Sequence, residues 1–304
     1  MKNYWIACFA LALLGLSAPG YAADHLTLEN AISLAIENSP GIKGAEADYG
    51  AALGERRQAG ALPNPSLGFE AENVAGSGPY NGIDNAELTF GVNQQILVGG
   101  KRSARVKAAE SGKVIARYGQ STARLDLIRD VKVAFADAVA AQEQASITTE
   151  QVKLAKDVYA IVNKRVTAAA EPIVQRNKAK ISLANAELIA ERAKGQKDAA
   201  LKILRALWNN AQSPSALSSK EFYKAEKPEL NDDASETLVN TPDYKRQTAA
   251  IEQANSLIDL ERANAIPDPV VSVGLRDLRA TNDQALVVGL SIPLPVFNLN
   301  GGNI

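Results

Sequence analysis

The chain has 304 residues, with 33 basic and 34 acidic side chains, and a net charge of −1 leaves no electrostatic case for binding nucleic acid. It has one cysteine, one methionine and one histidine, so a disulfide framework, a thiolate or imidazole metal site and a nucleophile–histidine triad all lack the residues they need. We therefore expect no enzyme activity, no cofactor and no resident metal.

Residues 1–23 read as a secretory signal. Lys2 supplies the positive start, Ile6 to Leu16 an apolar run, and Gly20-Tyr21-Ala22-Ala23 a small-residue cleavage site. The run is about 11–13 residues, short of the ~20 that a spanning helix needs. Cys8 lies inside this run, which leaves the mature chain without sulfur.

The remainder contains one unit twice. Asn38-Ser39-Pro40 opens an Ala-rich helix that Pro63-Asn64-Pro65 stops, and Asn240-Thr241-Pro242 opens another that Pro267-Asp268-Pro269 stops. A Ser or Thr cap with proline at the first helical position favours each start, and proline ends each helix. Strand-like alternation follows both stops, predicting strands over 66–74, 85–96, 270–278 and 284–292. Each has the length and period of a membrane-spanning β-strand or of a half-buried soluble hairpin. The alternation assigns Leu67, Phe69, Leu88, Phe90, Leu286, Val288 and Leu290 to the lipid side. Glu70, Glu72 and Glu87 fall on the polar faces of the first two strands. They are candidates to line an acidic pore, although any wet barrel interior is polar.

After Gly99-Gly100-Lys101-Arg102 a helix is predicted to run to Val166, a rod of roughly 100 Å. It carries an uncharged heptad ladder: Leu127, Val131, Ala134, Ala138, Ala141, Ala145, Thr148, Val152, Ala155, Tyr159, Val162 and Val166. A turn near Thr167 to Pro172 leads into a return helix from about Ile173 to Trp208. Its own small-residue seam is Ala179, Leu183, Ala186, Ala190, Ala193, Ala200, Leu204 and Leu207, broken by Lys197. The organisation is a signal at 1–23, a first repeat at 24–209, a surface linker at 210–235 and an incomplete second repeat at 236–304. By the logic of the repeat, a complete protein carries a second hairpin, so the chain reads as C-terminally truncated. Four strands do not close a spanning barrel, so several copies must pool them.

This order of helix, strand pair and long hairpin, stated twice, resembles the TolC family of outer-membrane efflux channels. Asn64-Pro65-Ser66-Leu67, the loop through Gly76-Ser77-Gly78 and Gln95-Ile96-Leu97-Val98-Gly99-Gly100-Lys101-Arg102 resemble its heavy-metal, cobalt-zinc-cadmium (CzcC-like) branch. Ser291-Ile292-Pro293-Leu294-Pro295-Val296-Phe297-Asn298 resembles the family's second strand-to-helix corner. The resemblance implies a mainly α fold with β: a long α-helical hairpin tunnel, plus four strands per protomer in a trimeric, twelve-stranded outer-membrane barrel with a periplasmic helical extension. It implies three kinds of partner: two further copies of the chain, a periplasmic adaptor with an inner-membrane pump of the resistance-nodulation-division type, and outer-membrane lipid. The exported species would be divalent heavy-metal cations. The tunnel tip, which docks the adaptor, falls at Val166, Thr167, Ala168, Ala169, Ala170 and Glu171, where Ala169 and Ala170 replace a glycine and a serine common in relatives. Competing readings are a channel for drugs or secreted proteins and a structural periplasmic coiled-coil or adaptor protein.

Overall fold

The computed structural model describes residues 25–209, 216–220, 223 and 234–304. The signal and most of the linker lie outside these residues. Contacts divide the chain into two units, Met1–Glu37 with Arg129–Lys227 and Asn38–Ile128 with Pro228–Ile304.

The first unit holds helix α1 (Leu28–Asn38), the later part of α3 (Lys101–Thr167) and α4 (Ile173–Ala206). The heptad ladder marks the inward stripe of α3. Val131, Ala134, Ala138 and Thr148 are buried and the other ladder residues are half-buried, whereas Leu154 and Ile161 between them are exposed; Phe135 and Val139, just off the ladder, are buried as well. On α4 the same holds for Ala193, Leu201 and Leu204 against Ile181, Leu188 and Ile203. Lys156 on α3 pairs with Glu187 on α4 at 3.8 Å, as two antiparallel neighbours require. Small side chains along both stripes permit close, nearly parallel approach.

One element escaped sequence reading. Thr27 caps α1 by accepting from the Asn30 amide at 3.3 Å, and Ala31 and Ala35 of this helix are fully buried. Leu217, in the stretch read as a surface linker, departs from that reading because it is 2% exposed. Its amide and carbonyl are held by the Gln142 side chain at 2.9 and 3.0 Å, and Leu26 pairs alongside it. Such pairing satisfies a backbone segment that burial would otherwise leave short of partners.

The second unit holds helices α2 (Pro40–Ala59), α5 (Ala234–Val239) and α6 (Pro242–Asn264), the start of α3, and one antiparallel sheet in the order β1 (Ser66–Glu72), β2 (Glu87–Gln95), β3 (Val270–Leu278), β4 (Asp283–Ser291). The two helix starts share sequence but not capping chemistry. Thr241 accepts from the Tyr244 amide at 3.3 Å, whereas Ser39 makes no cap bond. Proline sits in the first turn of each. The strands meet the predicted ones to within two residues at each end, and β3 agrees at both. No helix of the described residues is long and apolar enough to cross a membrane. That constraint does not apply to strands, which satisfy their backbone between neighbours.

Candidate functional site

The register sorts the sheet into two chemically distinct faces. Leu67, Val92, Val273 and Val288 lie opposite one another in turn across the four strands, as do Phe69, Phe90, Leu275 and Leu286. Phe69 and Phe90 touch, with ring centroids 4.7 Å apart and planes tilted by 41°, a cross-strand aromatic pair. This apolar face is bare: Leu67 is 89% exposed, Phe69 61%, Phe90 60% and Leu290 66%. A contiguous apolar sheet face of this kind marks a surface that water does not cover in the working protein.

The opposite face carries Ser66, Gly68, Glu70 and Glu72 on β1, Glu87, Thr89, Gly91 and Asn93 on β2, and Ser272, Gly274 and Arg276 on β3. Gly68, Gly91 and Gly274 form one row, and a Cβ on Gly274 would sit 2.7 Å from the Phe90 carbonyl. At Gly274 the neighbouring backbone therefore approaches too closely for a side chain.

The three acids singled out from sequence all lie on this polar face, and two of them, Glu72 and Glu87, are ion-paired there. Glu72 and Glu87 stand directly opposite one another, a repulsive arrangement by itself. Arg276 resolves it. Its guanidinium reaches Glu72 at 2.9 Å and Glu87 at 2.8 Å, and it donates to the Thr89 hydroxyl at 2.9 Å. Glu70, opposite Thr89, is exposed. Arg276 was visible in sequence as one polar position of β3. Its role was not, since its partners lie far away in the chain.

At the helix end of the sheet, β2 enters α3 through a buried charged corner. Lys101 and Asp268 form an ion pair at 2.6 Å, each side chain only 9% exposed. Asp268 also accepts from the Val98 amide and the Gln95 side chain, both at 3.0 Å, and Lys101 donates to the Ile266 carbonyl. Burial opposes ionisation of Asp268, yet the bonds from Lys101, Val98 and Gln95 outweigh it and hold its pKa below the ordinary value. Gly99 and Gly100 turn the chain at φ of 67° and 74°, and a side chain on Gly99 would strike Ile266 at 2.6 Å. The Pro-Asp-Pro and Gly-Gly-Lys motifs were each legible, but their mutual lock required the fold.

The hairpin tip occupies Thr167 to Pro172 between α3 and α4. Ala169 has φ of 56°, with the Ala170 amide bonded to the Arg165 carbonyl at 2.8 Å and the Ala169 amide to that of Val166 at 3.0 Å. This is a Schellman stop whose left-handed position, usually glycine, is alanine. Val166 is half-buried at the helix end. Thr167, Ala168, Ala169 and Ala170 are exposed, and Glu171 pairs with Arg165 at 3.1 Å. Among the described residues no group of three or more His, Cys, Asp or Glu side chains is placed to hold a metal ion.

Comparison with known proteins agrees with this architecture. The cobalt-zinc-cadmium resistance protein CzcC of Cupriavidus metallidurans is 31% identical over 296 residues, covering 94% of this chain and 67% of that protein. The nickel and cobalt resistance protein CnrC of the same organism is 27% identical, covering 94% and 68%. Among solved structures, CusC superposes with a TM-score of 0.72 at 19% identity over 91% of this chain and 67% of its own. The Campylobacter jejuni CmeC outer membrane channel gives 0.71 at 20% over 100% and 72%. These two share the fold. The reading as a periplasmic adaptor finds no support among these relatives. The outer membrane efflux protein family matches residues 31–210, and with the bare apolar sheet face and the long hairpin this identifies the chain as a member of that family, a channel protein of the outer membrane.

Proposed function

We propose that the chain is the outer-membrane subunit of a tripartite efflux system that exports divalent heavy-metal cations. The observation that carries the reading is the four-stranded sheet, whose one exposed face is apolar except for Gln94, Asp277 and Gln284, and whose outer strands, β1 and β4, have no further strand beside them among the described residues. In lipid an open edge leaves backbone groups without partners, so the sheet must close with others of its kind. Three copies give twelve strands, two from each of the repeats at 24–209 and 236–304, and the hairpins continue the barrel as a periplasmic tunnel.

The polar face then lines the barrel, with Glu70, Glu72 and Glu87 on its wall. Because Arg276 neutralises part of that charge, the wall favours cations weakly and does not chelate them. Tight binding would also slow release, which a conduit must avoid. Selection of the ion belongs to the inner-membrane pump and the adaptor. The tip from Val166 to Glu171 docks the adaptor: its small exposed side chains allow another hairpin to approach end to end. Metal cargo is supported by the names of the relatives, which are resistance proteins for cobalt, zinc, cadmium and nickel.

Resistance of the host with and without the gene, on graded cobalt, zinc, cadmium and nickel salts, tests the cargo. We expect the deletion strain to become metal-sensitive and the gene in trans to restore growth. Unchanged metal tolerance with lost tolerance to organic drugs would replace the metal reading with the drug-channel reading.

A further inference from the structure

The chain contains one joint between its two strand pairs, β2 onto β3, and its internal repeat specifies the geometry of a second. Pro63-Asn64-Pro65 precedes β1 as Pro267-Asp268-Pro269 precedes β3. Within the hairpins Ser66 pairs with Asn93 and Val270 with Ser291, so Asn93 and Ser291 hold equivalent places, as do Gly91 and Gly289 two residues earlier. The observed joint pairs Asn93 with Ser272, and the residue equivalent to Ser272 on β1 is Gly68. Carried over, the same joint pairs Ser291 with Gly68, Leu290 with Phe69, Ile292 with Leu67 and Val288 with Ala71.

A second observation supports this register without appeal to symmetry. It keeps the faces in phase: Ile292, Leu290 and Val288 meet Leu67, Phe69 and Ala71, all on the bare apolar face, whereas a shift by one residue would set apolar against polar. Four strands are too few to close on themselves, so the occupant of each free edge is a second copy of this chain.

The corner chemistry, however, changes between the two joints. Inside the chain Asp268 accepts from Gln95, Val98 and Lys101. Its counterpart is Asn64, which is exposed. The second glycine pair, Gly301-Gly302, lies four residues further from its strand than the first, and it is followed by Asn303, whose side chain donates to Asn300 at 2.6 Å, where the first pair is followed by Lys101. Pro293 stands where Gln95 stands. We propose that the joint between copies is an uncharged version of the joint within the chain: β4 of one copy pairs with β1 of the next in the register Ser291 to Gly68, and Asn64 and Asn303 replace the Asp268–Lys101 lock. This rests on the shared-barrel reading and adds its register and its chemistry. A neutral corner lets each chain fold before it meets its neighbour, since no half of an ion pair waits buried and unpaired.

Cysteine pairs in the protein in its membrane test the register. In the observed joint Ile96 donates to the Pro269 carbonyl at 2.9 Å, which makes Asn93–Ser272 a close, non-hydrogen-bonded pair. The equivalent Ser291→Cys with Gly68→Cys should cross-link between copies under mild oxidation. Leu290→Cys with Phe69→Cys serves as the alternative should Gly68 tolerate no side chain. Ser291→Cys with Ser66→Cys, or with Glu70→Cys, should stay below about a tenth of that yield, because a two-residue offset exceeds disulfide reach. Preferred cross-linking of an offset pair overturns the proposed register while keeping the shared barrel. No cross-link between copies from any pair overturns both.

The neutral corner is tested separately. Asn64→Asp alone should lower the temperature at which the detergent-resistant oligomer dissociates, and adding Asn303→Lys should restore it. An Asn64→Asp protein as resistant as the parent, or one that Asn303→Lys leaves unrescued, overturns the neutral-corner assignment.

Discussion

The strand-to-helix corner and the hairpin tip both reverse or redirect the chain beside a long helix, and they do so by opposite means. At the corner every polar group is answered: Asp268 has three donors, Lys101 two acceptors, and both side chains are nearly sealed from water. At the tip the backbone satisfies itself through a Schellman stop, the side chains are small and exposed, and one surface ion pair, Arg165 with Glu171, spans the turn. A buried, fully partnered corner suits a fixed anchor for a membrane sheet. An exposed, self-contained turn suits a surface that another protein must reach. The lesson is that loss of one partner should be structural at the first and functional at the second.

The largest expected effect follows from removing half of the corner lock. Lys101→Met leaves Asp268 ionised, buried and without its cation, and should cost about 3–5 kcal/mol. Chemical denaturation of the detergent-solubilised protein measures it, and Lys101→Met with Asp268→Leu should recover much of the loss. A Lys101→Met protein as stable as the parent would remove the contrast with the tip.

Acid probes the same lock without mutation. Because the folded pKa of Asp268 lies below its unfolded value near 3.9, the lock contributes fully above about pH 4. Its contribution should then fade as pH drops through the lowered folded value. Asp268→Asn should flatten that part of the stability–pH curve. A curve identical to the parent's below pH 4 would count against an ionised Asp268.

Between the corner and the tip lies the alanine-lined rod. Ala141→Leu adds bulk to the inward stripe and should destabilise by about 1–3 kcal/mol. Gln144→Leu, on an exposed position, should fall within about 0.5 kcal/mol of the parent. Equal melting temperatures for the two would mean that the stripe is not packed.

At the tip two changes of one residue separate stability from function. Ala169→Gly relieves the left-handed alanine and should stabilise by about 0.5–1 kcal/mol. Ala169→Asp should leave assembly and membrane insertion intact while abolishing metal resistance and adaptor cross-linking. Full resistance with Ala169→Asp would move docking elsewhere.

What the sequence displayed was whatever depends on local period and punctuation. Prolines at 40, 63, 65, 242, 267 and 269 bounded the helices because proline removes a donor and fixes φ. The Ala ladder revealed the inward stripe of α3, and alternation separated Phe69 and Phe90 from Glu70 and Thr89. What escaped were pairings across large separations. Arg276 meets Glu72 and Glu87 only after β1, β2 and β3 come into register, and Asp268 meets Lys101 only after the two repeats join. Helix α1 was hidden for a different reason: its local signals, the Thr27 cap and the one-turn spacing of Ala31 and Ala35, are brief and run directly into the Asn-Ser-Pro start of α2.

The central claim is that the sheet spans the outer membrane with its apolar face in lipid. Single cysteines at Phe69, Phe90 and Val273 and at their neighbours Glu70, Thr89 and Ser272, labelled in intact outer membranes with a water-soluble maleimide, test it directly. Glu70→Cys, Thr89→Cys and Ser272→Cys should react. Phe69→Cys, Phe90→Cys and Val273→Cys should resist until the protein is denatured. Equal reaction at both sets would contradict the membrane sheet and the channel built from it.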